Sequence, residues 1–326
     1  MQDPKVSITI KQSDSIAIFG VGRLGSSLAQ ELIRTNAFSR IYLFNRSEKH
    51  LNSILLSLRV YASCIGSQTD IRAISDQLPQ DVGIVVIAVK ENYDPRELLN
   101  VELLPHGLAR DVRTIGLKKD IPLVHDVCLK LQGYNGKIVV ITNPVDIFTV
   151  MINEWIPTAE VYGFGVTLDT ARLVYCAQQR GIKCVANDFP LGGSHTEKLV
   201  QLKSLWNQQS PLFTQSELVN DLLRSSTEIG PIIVQGLGFT LHDCVAVFSR
   251  DVSWLAGKNM SRKYLCTSVG NDSSAVAWPL EYSDVTGSLE IFDGLTKHER
   301  QQLDSAAKIV THSVDIIRKK LIPQLI

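Results

Sequence analysis

A glycine-patterned turn, set between a short apolar run and a helix-patterned segment, limits this chain more than any other stretch. Ser15-Ile-Ala-Ile-Phe19 leads into Gly20-Val-Gly-Arg-Leu-Gly25. Beyond it Leu24, Leu28, Leu32 and Ile33 recur on one helical face. Strand, tight turn and helix in that order form the context in which such glycines hold a dinucleotide. Gly20 permits the turn, Gly22 lets the backbone approach a pyrophosphate, and Gly25 lets helix and strand pack closely. The free amides at the helix start, around Arg23 and Leu24, face the phosphates. The same pattern also fits a plain glycine turn in an α/β protein.

Bulk properties narrow the partners. The 326 residues suffice for two units with sizeable cores. Lysines plus arginines equal aspartates plus glutamates, 33 of each. No net basic field exists to draw nucleic acid or an anionic membrane, so neither is expected as a partner. Apolar bursts such as Ile84-Val-Val-Ile-Ala88 fall far short of the roughly 18 residues that span a bilayer. Met1-Gln-Asp-Pro-Lys5 carries no secretion pattern. Six scattered cysteines, Cys64, Cys128, Cys176, Cys184, Cys244 and Cys266, contain no CxxC pair. Reduced thiols in the cytoplasm are the expectation, and no metal-ligand cluster is visible.

Order along the chain predicts a doubly wound parallel sheet of the Rossmann type, followed by an α+β substrate domain. Strands are expected at 15–19, 40–44, 82–88 and 137–142, with helices at 24–35 and 48–58. Between Ala88 and Ile115, Pro95, Pro105 and many charges interrupt any regular pattern, the mark of a functional loop. Helical pattern then dominates 146–154, 167–180, 213–229 and 296–321, with short strands at Ala246–Phe248 and Tyr264–Val269. The expected division is 1–145 for the dinucleotide and 146–326 for the substrate. Asn45, Ala88 and Asn143 fall at the carboxyl ends of the strands, where such sheets bind ligands.

A carboxylate at the end of the second strand normally holds the ribose hydroxyls of NAD. Here that place is Asn45, followed by Arg46, Ser47 and Lys49. Asparagine does not repel phosphate, and arginine offers a planar fork to its oxygens. The stretch reads as built for the 2′-phosphate of NADP in preference to NAD. A solvated turn without its acid is the other reading.

The second half carries further motifs: Ile141-Thr-Asn-Pro-Val-Asp146, Gly163-Phe-Gly-Val-Thr-Leu-Asp-Thr-Ala-Arg172, Gly193-Ser-His195 and Leu295-Thr-Lys-His-Glu-Arg-Gln-Gln-Leu303. With the glycine turn, in this order over nearly the whole chain, they resemble the lactate/malate dehydrogenase family. That resemblance implies that His195 exchanges the proton of a substrate hydroxyl, with Asp169 as its partner. Arg172 would clamp the substrate carboxylate, and Asn143 would hold the substrate oxygen and bind cofactor. The residue types suit the task. Imidazole trades a proton near neutral pH, a carboxylate fixes its tautomer, and a guanidinium grips a carboxylate with two parallel bonds. On residues alone, Asp169 also suits a helix cap, and Arg172 and His195 suit structural roles.

The departures from the family are local. Thr196 follows His195 where the family has glycine or alanine, and a shifted reading puts Ser194 in the catalytic place. Val89 follows Ala88, and the segment up to Asn143 is longer than usual. The family's loop arginine that polarises the carbonyl corresponds to Arg110, in Ala109-Arg-Asp111, or to Arg113; Arg96 is also in the region. Gly236-Leu-Gly238 stands where lactate enzymes show Gly-Tyr-Thr, which implies a 2-oxo acid bulkier than pyruvate. The expected activity is hydride transfer between NAD(P)H and such a 2-oxo acid, by a homodimer or homotetramer. The alternatives are a dehydrogenase-like binding domain without catalysis, and the sugar-cleaving NAD enzymes of the same superfamily.

Overall fold

A computed structural model of the chain describes residues 8–9, 14–75, 77–91, 116–258, 264–270, 274–283 and 288–325. The first half alternates strand and helix: β1 (Ile8–Thr9), β2 (Ser15–Phe19), α1 (Arg23–Arg34), β3 (Arg40–Phe44), α2 (Glu48–Ile65), β4 (Asp70–Ala73), β5 (Ile84–Ile87), α3 (Leu117–Lys130), β6 (Lys137–Val140), α4 (Val145–Trp155) and β7 (Glu160–Gly163). The second half holds α5 (Val166–Gln179), β8 (Leu191–Gly193), β9 (Leu199–Gln201), α6 (Ser216–Leu237), α7 (His242–Leu255), β10 (Tyr264–Gly270), β11 (Ala275–Ser283), β12 (Ser288–Ile291), α8 (Lys297–Lys320) and α9 (Ile322–Leu325).

The strands join in one sheet, in the order β1-β12-β11-β10-β7-β6-β5-β2-β3-β4, with β8 and β9 attached at β11. From β4 to β7 every pairing is parallel. This run has the doubly wound order, with its reversal between β2 and β5. From β10 onward the pairings are antiparallel, and β10 docks antiparallel on β7. The expected division at 145/146 falls where α4 starts, and the sheet runs on across it.

The central strands are apolar along their length because helices cover both faces. Each residue of β2, β5 and β6 is buried. Ala17, Phe19, Val85 and Ile87 face one core, with α3, α4 and α8. Ile16, Ile18, Val86 and Val139 face the other, with α1, α2 and α7. Helix α1 presents Leu28, Ala29, Leu32 and Ile33 to that second core. Ser47 caps α2, its side chain accepting from the His50 N–H, and Gly66 ends the helix in the left-handed region at φ +71°. Thr296 and Glu299 close a capping box at the start of α8.

The sequence expectation of a strand at Ala246–Phe248 is corrected: those residues lie inside α7. The apolar burst is the buried stripe of a helix. Cys244, Val247, Phe248, Val252 and Leu255 are buried at helical spacing. A short apolar run, taken without its flanks, does not tell the two apart. Two helices also run further than expected, α2 to Ile65 and α6 through Pro231 to Leu237.

Candidate active site

Gly20 lies at the end of β2, beside the reversal of strand order. Its φ of +96° suits glycine, and a Cβ there would come within 2.7 Å of the Ala88 carbonyl. A Cβ on Gly25 would stand 2.1 Å from the Gly20 carbonyl oxygen, so glycine is required where α1 crosses the turn. Gly22 caps α1, with no side-chain hydrogen bond at the cap and no acid in the first turn. Beyond Gly22 a Cβ would meet nothing within 4 Å. An uncapped helix start facing open space fits a dinucleotide pyrophosphate. Leu24 packs on the core beneath. Arg23 stacks over the Phe239 ring, 4.5 Å from its centroid.

Around the expected ribose position, the Asn45 side-chain oxygen accepts the Ser47 N–H at 2.9 Å. Arg46 is ion-paired with Glu91, which follows β5. That pair links the carboxyl ends of β3 and β5 on either side of β2. Lys49 is exposed. His50, which sequence reasoning passed over, places Nε2 3.0 Å from the Val21 carbonyl in the glycine turn.

Helix α5 supplies two of the expected catalytic side chains. It starts at Gly165, with no side-chain hydrogen bond at its cap, so Asp169 is not its cap. Asp169 Oδ2 lies 2.7 Å from His195 Nδ1, with both side chains buried. His195 follows β8, and its ring lies against the bare backbone of Gly165. A Cβ at Gly165 would fall 2.6 Å from the ring's Cγ, which explains the second glycine of Gly163-Phe-Gly165. Arg172 sits one turn beyond Asp169 on the same face of α5.

Ser194, the rival for the catalytic place, points elsewhere. Its hydroxyl donates to Asp146 Oδ2 at 2.6 Å and accepts the Glu197 N–H at 2.9 Å. Asp146 also accepts from the Thr196 N–H at 3.2 Å and from the Ser268 hydroxyl. This carboxyl, from the Asn-Pro-Val-Asp segment, thus anchors the loop that carries His195. Burial pushes its pKa up, against the pull of the Ser194 and Ser268 hydroxyls and the nearby imidazole. A second buried carboxyl, Asp251 of α7, accepts from Thr167 Oγ1 at 2.5 Å beneath the start of α5. Burial raises it to about 7, opposed by Arg250 and Thr167.

Arg172 has a partner the sequence did not announce. Asp243, at the start of α7, accepts from Nη2 at 2.8 Å and from Nε at 3.1 Å. A Cβ on Gly230 of α6 would come 3.0 Å from Arg172 Nη1. Gly230 is therefore the glycine of α6 that makes room beside the guanidinium. The Gly236-Leu-Gly238 stretch, expected to widen the pocket, is exposed at the end of α6, where a Cβ on Gly236 or Gly238 would meet nothing within 4 Å.

Asn143 lies half-buried just past β6. Next to it the Thr142 hydroxyl donates to the Val89 carbonyl at 2.8 Å, tying the ends of β5 and β6 together. Arg96, Arg110 and Arg113 lie outside the described residues. Among the described residues no helix is long and apolar enough to cross a membrane.

No family model matches the sequence. L-lactate dehydrogenase of Fervidobacterium nodosum is 29% identical over 185 residues, which are 55% of this chain and 55% of that enzyme. The match therefore spans about half the length of that relative. L-lactate dehydrogenase 2 of Lactiplantibacillus plantarum is 25% identical over 271 residues, 81% of this chain and 80% of that one. Among solved structures, MGS-M5, a lactate dehydrogenase from a Medee basin deep-sea metagenome library, superposes with a TM-score of 0.76 at 19% identity, covering 94% of this chain and 100% of its own. Malate dehydrogenase from Archaeoglobus fulgidus in complex with NADH gives 0.74 at 19%, covering 92% and 98%. The structures bear on the fold and the sequence matches on descent. In sequence, at low identity, and in fold the chain is thus similar to the lactate/malate dehydrogenases.

Proposed function

We propose that this chain transfers a hydride between a nicotinamide cofactor and the carbonyl carbon of a 2-oxo acid, acting as a reductase. The observation that carries the reading is the buried His195–Asp169 pair at 2.7 Å, with Arg172 one turn along α5. The relatives named above are lactate and malate dehydrogenases, and one was solved with NADH. When bound, the cofactor supplies the hydride. His195 gives its proton to the substrate oxygen; with Nδ1 held by Asp169, that task falls to Nε2. Asp169 fixes the ring and steadies the imidazolium. Arg172 orients the substrate carboxylate, and Asn143 holds the substrate oxygen. Arg110 is our candidate for the loop cation that polarises the carbonyl.

Residues 1–145 hold the cofactor in this reading, and 146–326 hold the substrate. We favour NADP over NAD because Asn45 replaces the usual acid and Arg46 stands beside it. We favour a substrate bulkier than pyruvate because Gly230 of α6 leaves room beside the Arg172 guanidinium. A homodimer or homotetramer is consistent with Leu56 and Val60, exposed on α2.

The test is oxidation of NADPH and of NADH with branched, aromatic and dicarboxylic 2-oxo acids. Turnover of at least one is expected. A second reading, a nucleotide-binding module without catalysis, draws on one observation: the Arg172 fork already holds an internal carboxylate. Intact cofactor binding with no turnover across the panel decides for that module.

A further inference from the structure

The guanidinium assigned to the substrate carboxylate already carries a carboxylate of the protein. Arg172 is buried, its side chain only 7% exposed, whereas Asp243 retains 27%. Both hydrogen bonds run to Asp243 Oδ2, one from Nε and one from Nη2. The other oxygen, Oδ1, accepts the Cys244 N–H at 3.0 Å in the first turn of α7. That turn favours negative charge. Asp243 is thus held from two sides, by the helix start and by the arginine. On the opposite side Gly230 leaves room at Nη1 that a side chain would close.

Two consequences follow from charge and geometry. The Nε–Nη2 edge, one of the two edges on which a guanidinium takes a carboxylate in parallel bonds, is occupied. The charge of Arg172 is also balanced before any substrate arrives. A substrate carboxylate must displace Asp243 or use the end formed by Nη1 and Nη2, with a like charge beside it. A second carboxylate on the substrate would add to that repulsion.

We propose that Asp243 is a specificity-determining residue of the substrate site. Its carboxylate competes with the substrate's for Arg172 and confines the site to 2-oxo acids with a single carboxylate. The proposal rests on the dehydrogenase reading above and narrows its substrate class to monocarboxylates.

The experiment is calorimetric titration of the full-length protein with reduced cofactor present. Oxamate is the one-carboxylate probe and hydroxymalonate the two-carboxylate probe. The proteins are the wild type, Asp243→Asn, and Asp243→Ser, which keeps a neutral acceptor at the start of α7. The expected result is oxamate bound about tenfold tighter by the variants, the scale of one charge-assisted hydrogen bond. Hydroxymalonate should gain by more than that. Thermal melts identify which variants are folded, and a purely structural counter-ion would move the melt and leave both affinities alone. Oxamate bound no tighter by the folded variants overturns the proposal, and so does equal tightening of the two anions. Failure of the dehydrogenase reading looks different. Then the wild type and both variants leave reduced cofactor unoxidised by every 2-oxo acid, while the oxamate titration still decides the role of Asp243.

Discussion

The glycine turn and the α5 site are built by opposite means. At the turn, the proposed cofactor site lies in backbone: Gly20 at φ +96°, Gly22 facing open space, Gly25 pressed on the Gly20 carbonyl. One contiguous stretch makes it, and removing side chains is how it works. At α5, the proposed catalytic site lies in side chains that meet from distant segments: Asp169 and Arg172 from one helix, His195 after β8, Asp146 from the start of α4, Asp243 from α7. The first region tolerates change nearby so long as the glycines stay. The second depends on buried charges, each of which needs a partner.

The sharpest way to break this contrast is His195→Asn. Loss of the proposed proton donor should cut kcat on the order of a thousandfold, while reduced-cofactor affinity, read by fluorescence titration, stays within about a few-fold because the glycine turn is untouched. Turnover near the wild-type rate would remove His195 from the chemistry. A loss of cofactor binding would show that the two regions are not independent.

Asp251 tests how far the buried charge at the α5 end weighs on stability. Its carboxyl titrates near 7 in the fold, raised from the ordinary 3.8. The folded form therefore favours the proton, and the unfolded chain releases it at lower pH. Asp251's contribution is complete below about pH 4 and is lost progressively as pH rises through about 7. Asp251→Asn has no such proton to lose and keeps an acceptor for Thr167. Its stability, read from melting curves, should match the wild type near pH 4 and exceed it above pH 7 by about 4 kcal/mol, as the rise from 3.8 to about 7 implies. A constant gap across that range would mean that Asp251 titrates normally.

Gly20→Ala probes the backbone-built region. Its Cβ would press on the Ala88 carbonyl at a left-handed φ. Strain at such a position costs about 1–3 kcal/mol. We expect weaker binding of reduced cofactor with the His195–Asp169 pair intact. Unchanged affinity in a protein of unchanged stability would show that the turn has slack the geometry does not reveal.

This contrast also decides what could be read from sequence. The turn was legible because its signal is local: an apolar strand, three glycines and a helical stripe within twenty residues. His195, Asp169 and Arg172 were legible only as a set with family spacing, since each alone suits a cap, a core or a surface. The Arg172–Asp243 pair spans 71 residues and leaves no periodic trace. Gly230 gives no sign, within a 22-residue helix, that it faces a guanidinium. Asp146 was in view as part of Asn-Pro-Val-Asp, but its grip on the His195 loop depends on where β8 and β10 bring Ser194 and Ser268. The apolar residues of α7 misled for the same reason: their partners lie on α1 and α5, not next to them in the chain.

The smallest effect is expected at Arg46, and it asks whether the turn region is as purely backbone-built as the contrast implies. Arg46 is 58% exposed and Glu91 29%. An exposed ion pair of this kind contributes at most about 1 kcal/mol. Arginine on a phosphate gains about 1.5–3 kcal/mol. A 2′-phosphate should therefore draw Arg46 away from Glu91. Arg46→Ala should weaken NADPH binding about tenfold with little effect on NADH. Glu91→Gln frees the guanidinium and removes a like charge beside the phosphate, so it should shift preference further toward NADPH. If neither variant changes the ratio of the two affinities, the Arg46–Glu91 pair only bridges the ends of β3 and β5. Cofactor choice then rests with the backbone and Asn45, and the turn region contains no charge that discriminates.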